Sequence, residues 1–541
     1  MMNGAQAMVK CLEAENVSLL FGYSGAAICP FYDALLETGI RPVLVRQEQN
    51  AAHAASGYAR MKGRAGVCVV TSGPGVTNLI TGIATAFADS IPLVCITGQV
   101  NSVMIGSDVF QEADITGAVE SFVKYSYLVR DANDIPRVFR EAFYIAESGR
   151  RGPVLIDVPT DVQTAAVHKF SYPEEVHMRT YKPTVEGNAV QIGKVVKELE
   201  KAKRPLLCVG GGVSLSGAID EIRAFSERYQ IPVVSTMMGI GVMPTGSNLY
   251  FGMVGNNGRP YANRAINEAD LLLMVGARVA DRAVNRPELI RENKVLVHID
   301  VDPAEIGKNV GPTIPLVGDI RHVFRQIDKH EINVPSHTEW INTLGSWRLS
   351  MSEKRPVIAP EYVDVKAFIE TLSNRMDKDG IYICDVGQNQ IWSTHFFRVS
   401  EKARFMTSGG MGTMGYAIPA AIGARFARPD RQTIALVGDG GFQMSMNELG
   451  TIQQTGCEIG IVILRNNILG MVMESIHTGY ESRATMVDLG AGPDYGKIAA
   501  AFDMPYFRLD GTGDMEQALY EFLHADGTRI LEVVIDPADR V

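Results

Sequence analysis

Short apolar runs alternate with longer amphipathic stretches along nearly the whole chain. VSLLFGY, PVLVR, AGVCVVTS, PLVCITG and PVLIDVP recur across the first part, most of them ending at glycine, proline or a polar residue. Runs of roughly four to eight such residues suit strands buried on both faces, and the segments between them carry helical spacing. The pattern repeats in PLLCVGGG, IPVVSTM, LLLMVGA and VLVHIDVD, and again in IYICDVG, RFMTSGG, TIALVGD, IGIVILRN and ILEVVID. Such alternation predicts an α/β chain of three doubly wound parallel-sheet domains, over residues 1–165, 186–325 and 361–541. Residues 166–185 and 326–360 are polar and interrupted by proline, and are expected to be linkers. No internal repeat interrupts this order.

Composition narrows the class. A chain of 541 residues exceeds what one core sustains and suits three domains of ordinary size. A hydrophobic share of 46% with 53 glycines fits a folded protein rich in tight turns. The net charge of −10 argues against nucleic acid or an anionic membrane as main partner. Seven cysteines (11, 29, 68, 95, 208, 384, 457) fall mostly in apolar segments without a CxxC pair, as small core residues of a reducing compartment do. MMNGAQAMVKCLEAENVSLLFG reads as an amphipathic helix entering a strand, not a signal peptide, and no apolar run reaches membrane-spanning length. A soluble, cytoplasmic protein is expected.

The chemistry concentrates in GDGGFQMSMNELGTIQQTGCEIGIVILRNN. TIALV delivers the chain into a glycine turn bearing Asp439, a helical segment follows, and IGIVIL then ends at Asn466-Asn467. This βαβ unit places both polar groups at the carboxyl ends of neighbouring parallel strands. One carboxylate and one amide oxygen suit Mg²⁺, which takes its remaining ligands from phosphates and water. The glycines 438, 440 and 441 let backbone N–H groups approach a diphosphate. The unit resembles the thiamine diphosphate signature.

Glu48, in VLVRQEQNAAHAASGYAR, follows a strand and opens an alanine-rich helix. A carboxylate there is stabilised by the helix dipole alone. Thiamine diphosphate also needs a carboxylate against N1′ of its aminopyrimidine, to favour the imino tautomer that removes the C2 proton. Gly73-Pro74-Gly75 either form a tight turn or admit close approach of a cofactor or neighbouring chain. Asn78 breaks the dinucleotide fingerprint GxGxxG. Met414, in GGMGTMGYAIPAAIGA, either fills core or wedges between the rings of a bent cofactor. The ten histidines form no metal-binding spacing, His53 reads as a packing or surface residue, and no GxSxG elbow occurs.

Over nearly its whole length the chain resembles the catalytic subunits of the acetohydroxyacid (acetolactate) synthases, which depend on thiamine diphosphate. RQEQNAAHAASGYAR, TSGPGVTNLITGIA, MIGSDVFQEADI, GPVLIDVPTD, GARVADR, HIDVDPAEIGK and GGMGTMGYAIPAAIGA carry the resemblance, with the GDG…NN unit and NNILGMV. It implies a pyrimidine-binding first domain, a central FAD domain and a diphosphate- and Mg-binding third. It further implies a homodimer or homotetramer whose active sites lie at the dimer interface, Glu48 of one chain facing Asp439 of the other, and a possible regulatory subunit. By the resemblance Glu48 activates the cofactor, while Asp439, Asn466 and the carbonyl of Ile468 hold Mg²⁺. Met414 enforces the bent cofactor, whose site Gly25, Gly75, Gln388 and Gly412 line. Gln111 and Phe110 border the reacting centre with Lys124 nearby, and Arg282 receives the acceptor's carboxylate. Arg150, Gly210, Gly211, Gly212, Thr236, Arg278, Asp300 and Asp319 match the family's FAD contacts.

The implied reaction decarboxylates pyruvate and joins its hydroxyethyl unit to a second 2-oxo acid, giving 2-acetolactate in branched-chain amino acid biosynthesis. Two alternatives stay open: a related carboligase with a larger acceptor such as a keto-sugar, and a flavoenzyme of pyruvate oxidase type. Departures from the family bear on the choice. After GMV the family usually has Gln-Trp, the Trp gating the acceptor pocket, where this chain has Met473-Glu474-Ser475. Loss of an indole abolishes preference for the slightly larger 2-oxobutyrate or makes room for a bulkier acceptor. The family's Met-His beside the flavin is Asn256-Asn257, a His after the cofactor-site Gln is Asn389, and little follows LEVVIDP.

Overall fold

The computed structural model describes residues 2–280, 282–284, 290–351 and 357–541. Among these, three six-stranded sheets form in succession along the chain, and every strand pair in them is parallel. In the first, the spatial order is Arg41–Leu44, Leu19–Tyr23, Gly66–Val70, Leu93–Gln99, Pro153–Pro159, Tyr125–Leu128. The third repeats that order with Arg404–Met406, Ile381–Cys384, Thr433–Gly438, Gly460–Arg465, Arg529–Val534 and Tyr506–Leu509. The middle sheet runs Ile314–Val317, Val295–Asp300, Leu271–Val275, Pro205–Val209, Val233–Ser235, Tyr250–Met253. In each sheet the order reverses beside its first strand, which opens a crevice at the strands' carboxyl ends where ligands of such folds bind.

Burial explains which strands the pattern revealed. Gly66–Val70 and Leu271–Val275 are buried at every position and appear as unbroken apolar runs. Edge strands such as Tyr125–Leu128 and Tyr506–Leu509 are only half covered, and their mixed composition gave no apolar run to read. The stretch expected as a second linker contains the helix Thr338–Ser350, whose Trp340 is buried and donates to the carbonyl of Pro205 at 3.0 Å. A polar helix anchored by two tryptophans carries too narrow an apolar stripe for its periodicity to stand out.

The first and third sheets share a core. Helix Glu48–Lys62 crosses helix Ala417–Ala427 with alanine and glycine at the contact. A Cβ at Gly423 would lie 1.8 Å from the carbonyl oxygen of Ala54, and one at Gly57 2.0 Å from that of Ala420. The two backbones touch, so these glycines set the distance between the helices. His53 lies in this seam, fully buried and edge-on to Tyr416, and burial pushes its pKa down to about 4. It is a packing residue. Six of the seven cysteines are buried and Cys29 is exposed. Among the described residues no helix is long and apolar enough to cross a membrane.

Candidate active site

In the third sheet, strand Thr433–Gly438 runs into helix Asp439–Ser445, and its neighbour Gly460–Arg465 ends at Asn466. The register pairs Gly438 with Leu464, which sets Asp439 beside Asn466 at one sheet end. Asp439 is buried; its Oδ1 accepts from the amide of Gly440 at 2.9 Å, and its Oδ2 from that of Asn466 at 3.1 Å. The amide of Asn467 adds a third bond, with φ of +60° at Asn467 turning the chain back toward the carboxylate. Burial pushes the Asp439 carboxyl upward against these donors and Arg465, and a cation at the site favours the charged form. Ile468 follows, its amide donating to Asn466 Oδ1 at 3.3 Å.

This donor set fits Mg²⁺. It offers one carboxylate, one amide oxygen and the carbonyl of Ile468, and leaves positions for phosphate oxygens and water. No cluster of three or more His, Cys, Asp and Glu able to hold a metal occurs among the described residues. The surroundings fit a diphosphate as well. A Cβ at Gly440 would meet Leu469 at 2.9 Å and the methyl of Met414 at 3.2 Å, so the wedge candidate touches the glycine turn. Gly412 has φ of +70° and an open flank. The buried Oδ1 of Asn389 has no partner among the described residues, as expected beside a polar ligand.

A second half-site forms on the first sheet. Glu48 opens helix Glu48–Lys62 and accepts from Asn78 Nδ2 at 3.0 Å. Gly25 and Gly75 both abut Thr71, and a Cβ at Gly75 would stand 3.6 Å from Glu48 Oε1. Gly73, with φ of +61°, makes room for Gln111, whose Cβ lies 2.8 Å from where a Cβ on Gly73 would stand. Phe110 beside it is 86% exposed. The buried hydroxyls of Thr71 and Ser72 have no partner among the described residues. Glu48 and Gln111 are thus gathered at one crevice and Asp439 and Asn466 at another. Lys124 points elsewhere: its ammonium group donates to the carbonyls of Ile145 and Ser148 and to the hydroxyl of Tyr181, and burial lowers its pKa to about 7.

Between the three sheets lies a cavity of about 980 Å³. Arg150, Gly211, Gly212, Thr236, Arg278, Asp300 and Asp319 line it, with Arg282 and Gly412. Gly210 packs beneath, where a Cβ would strike the carbonyl oxygen of Gly276 at 2.2 Å. Arg150 pairs with Asp302 and Glu305, and Arg278 donates to the carbonyl of Ala88 at 2.8 Å. Asp300 ends its strand with its pKa raised to about 6 by burial, and Asp319 caps helix Ile320–Ile327. Volume, paired cations and carboxylates at strand ends fit a dinucleotide with its phosphates and ribose hydroxyls. Asn257 also lines the cavity, and its carbonyl faces the half-buried His395 at 2.7 Å.

Three buried carboxylates that support these loops escaped the sequence reading. Asp385 accepts from the amides of Val386, Gly415 and Ala417 and so ties the Met414 loop to the end of strand Ile381–Cys384. Asp89 pairs with Arg60 and accepts from Gly409 and Gly410. Glu448 accepts from the amide of Arg46 and from Asn50, joining the third unit to the strand end before Glu48. The available signal was an acidic residue closing an apolar strand, as in IYICD.

Comparison with known proteins agrees with this geometry. Residues 2–118 match the family described as "Thiamine pyrophosphate enzyme, N-terminal TPP binding domain", thiamine pyrophosphate being another name for thiamine diphosphate. Residues 192–327 match the central domain of the same enzymes, and 385–533 their C-terminal TPP binding domain. A probable acetolactate synthase large subunit of Methanococcus aeolicus is 42% identical, over 99% of this chain and 92% of its own length. The acetolactate synthase large subunit of Lactococcus lactis is 39% identical over 100% and 93%. That of Haemophilus influenzae is 38% identical over 100% and 96%.

Proposed function

From the premise that this chain belongs to the acetolactate synthase large subunits among the thiamine pyrophosphate enzymes, we propose how its residues divide the work. The reaction is the thiamine diphosphate-dependent decarboxylation of pyruvate and carboligation of its hydroxyethyl unit to a second 2-oxo acid, giving 2-acetolactate. The observation that carries it is the pairing of Asp439 with Asn466 at adjacent strand ends, in a chain matching acetolactate synthases end to end. The keto-sugar carboligase and the pyruvate oxidase type are not favoured by these relatives.

When bound, thiamine diphosphate supplies a nucleophilic carbon and an electron sink for loss of CO₂. The chain's own residues bind, orient and exclude water. Asp439, Asn466 and the Ile468 carbonyl hold Mg²⁺, and the amides around Gly438, Gly440 and Gly441 receive the diphosphate. Met414 presses on the glycine turn from the side of Gly412. Glu48 would accept a hydrogen bond from N1′ of the aminopyrimidine, Gln111 would border the reacting carbonyl, and Arg282 would hold the acceptor's carboxylate by a charge-assisted bond.

Glu48 and Asp439 make their contacts in separate units of one chain, which supports an active site completed by a second copy. Tyr23, Leu44, Phe110, Met411 and Met444 are exposed around the same sheet ends, a pattern suited to burial in a homodimer. The name "large subunit" borne by the relatives supports a smaller partner chain. The central cavity suits FAD, and free thiols, six of seven buried, support the cytoplasm.

Incubation with pyruvate, Mg²⁺ and thiamine diphosphate, followed by mass spectrometry, is expected to yield 2-acetolactate. Asp439→Ala is expected to abolish that product along with cofactor binding. In equal competition with 2-oxobutyrate, Ser475 offers no indole to the extra methyl, so the two acceptors are used within a few-fold. Decarboxylation without either product would overturn the assignment, and a many-fold preference for 2-oxobutyrate would overturn the role given to Ser475.

A further inference from the structure

A chain of amides leads from the helix Gly470–Gly479 to the candidate metal ligand Asn466. Glu474 Oε1 accepts from Gln388 Nε2, which also donates to the backbone carbonyl of Asp539 at 3.0 Å. Gln388 Oε1 in turn accepts from Asn466 Nδ2 at 3.2 Å, and Asn466 Oδ1 faces the amide of Ile468 at 3.3 Å. An ionised carboxylate and a backbone carbonyl are acceptors only, so both acceptors at this end require the NH₂ of Gln388. Its oxygen must then face Asn466, and Asn466 must answer with its own NH₂. The direction of every amide follows from the first.

We propose that Glu474 and the Asp539 carbonyl, acting through Gln388, are positioning groups that turn Asn466 so that its oxygen, and not its NH₂, faces the bound Mg²⁺. This rests on the Mg²⁺ assignment made above. The fold supplies a further sign that Gln388 is held in place. A Cβ at Gly470 would lie 1.8 Å from Gln388 Oε1 and 2.4 Å from its Cδ, so the amide occupies space that only glycine leaves open. Gly470 is the first residue of its helix and is not among the residues with positive φ, so alanine fits there in backbone terms. Gly470→Ala therefore expels the Gln388 amide while leaving the side chains at 474, 539 and 466 unaltered in sequence.

The full chain, freed of metal by chelation and dialysis, is titrated with Mg²⁺ at saturating thiamine diphosphate in a calorimeter. Gly470→Ala is expected to weaken Mg²⁺ binding about tenfold or more, as loss of groups that orient metal ligands does. Glu474→Leu, which removes the side-chain acceptor, is expected to weaken it less, because the Asp539 carbonyl still accepts. The double variant is expected to match Gly470→Ala alone, since both changes act through Gln388. Unfolding midpoints identify any variant that fails to fold. Wild-type Mg²⁺ affinity in a folded Gly470→Ala, or losses that add in the double variant, would overturn the relay. Should Gly470→Ala not fold, Glu474→Leu decides, unchanged affinity refuting the proposal. Asp439→Ala separates the two levels: if it too leaves Mg²⁺ binding intact, the metal assignment fails and not the relay alone.

Discussion

Two carboxylates of similar sequence setting are given different duties in the proposed mechanism because their surroundings differ. Asp439 is buried and accepts three backbone N–H bonds, a setting that suits the cation-ligand role proposed for it. Glu48 is half-buried at a helix start, accepts from the Asn78 side chain, and has its Oε1 beside Gly75. It is free to accept from a ligand. Glu48→Gln keeps the shape and removes the charge, so exchange of the C2 proton of bound thiamine diphosphate is expected to slow about a hundredfold or more. Quenched-flow NMR reads this exchange directly, and a wild-type rate in the variant would falsify the role. The Glu48 motif and the GDG…NN spacing were legible in the sequence, because the first lies within one strand–turn–helix step and the second within one βαβ unit. Asp385 was not, because its partners Gly415 and Ala417 are some thirty positions away across a loop.

At the scale of elements, the seam between helices Glu48–Lys62 and Ala417–Ala427 links the two half-sites. It joins the helix that begins with Glu48 to the helix that follows the Met414 loop, so the seam is a lever on both. Its closeness rests on Gly57 and Gly423, each against a backbone carbonyl that has no rotamer to yield. Gly423→Ala sits inside a helix, where alanine is otherwise the better residue. The clash at 1.8 Å outweighs that gain and forces the helices apart. The expected net loss is about 1–3 kcal/mol, the usual cost of overpacking. Urea unfolding checks it, and a variant as stable as wild type would show that the seam accommodates a methyl group. The alanine-rich sequence announced two helices, but nothing in it said that they touch.

At the scale of the whole molecule, the central cavity exists only because three units converge. Arg150 comes from the first, Arg278, Asp300 and Asp319 from the second, and Gly409 to Gly412 from the third. If the cavity holds FAD, the purified protein should carry a flavin absorbance band. Arg278→Ala removes a charged donor beside the ligand and is expected to weaken FAD retention about tenfold or more, by the worth of a hydrogen bond to a charged group. Dialysis followed by FAD titration measures it. Protein that neither carries nor takes up flavin would overturn the reading, with Asn256-Asn257 the first residues to suspect.

The amino-acid sequence by itself determined the α/β class, the strands buried on both faces, and the short-range motifs that end them. Strand period and turn chemistry act over a few residues, so they survive in a linear pattern. Tertiary structure alone decided which distant groups meet. Gln388 and Glu474 stand 86 positions apart, and Arg46 and Glu448 stand 402 apart. Lys124 was drawn to the carbonyls of a neighbouring helix end and not toward Gln111. Helix Thr338–Ser350 was fixed by Trp340 reaching the carbonyl of Pro205. Such pairings depend on how loops close and helices cross, and packing sets those distances after the local elements have formed.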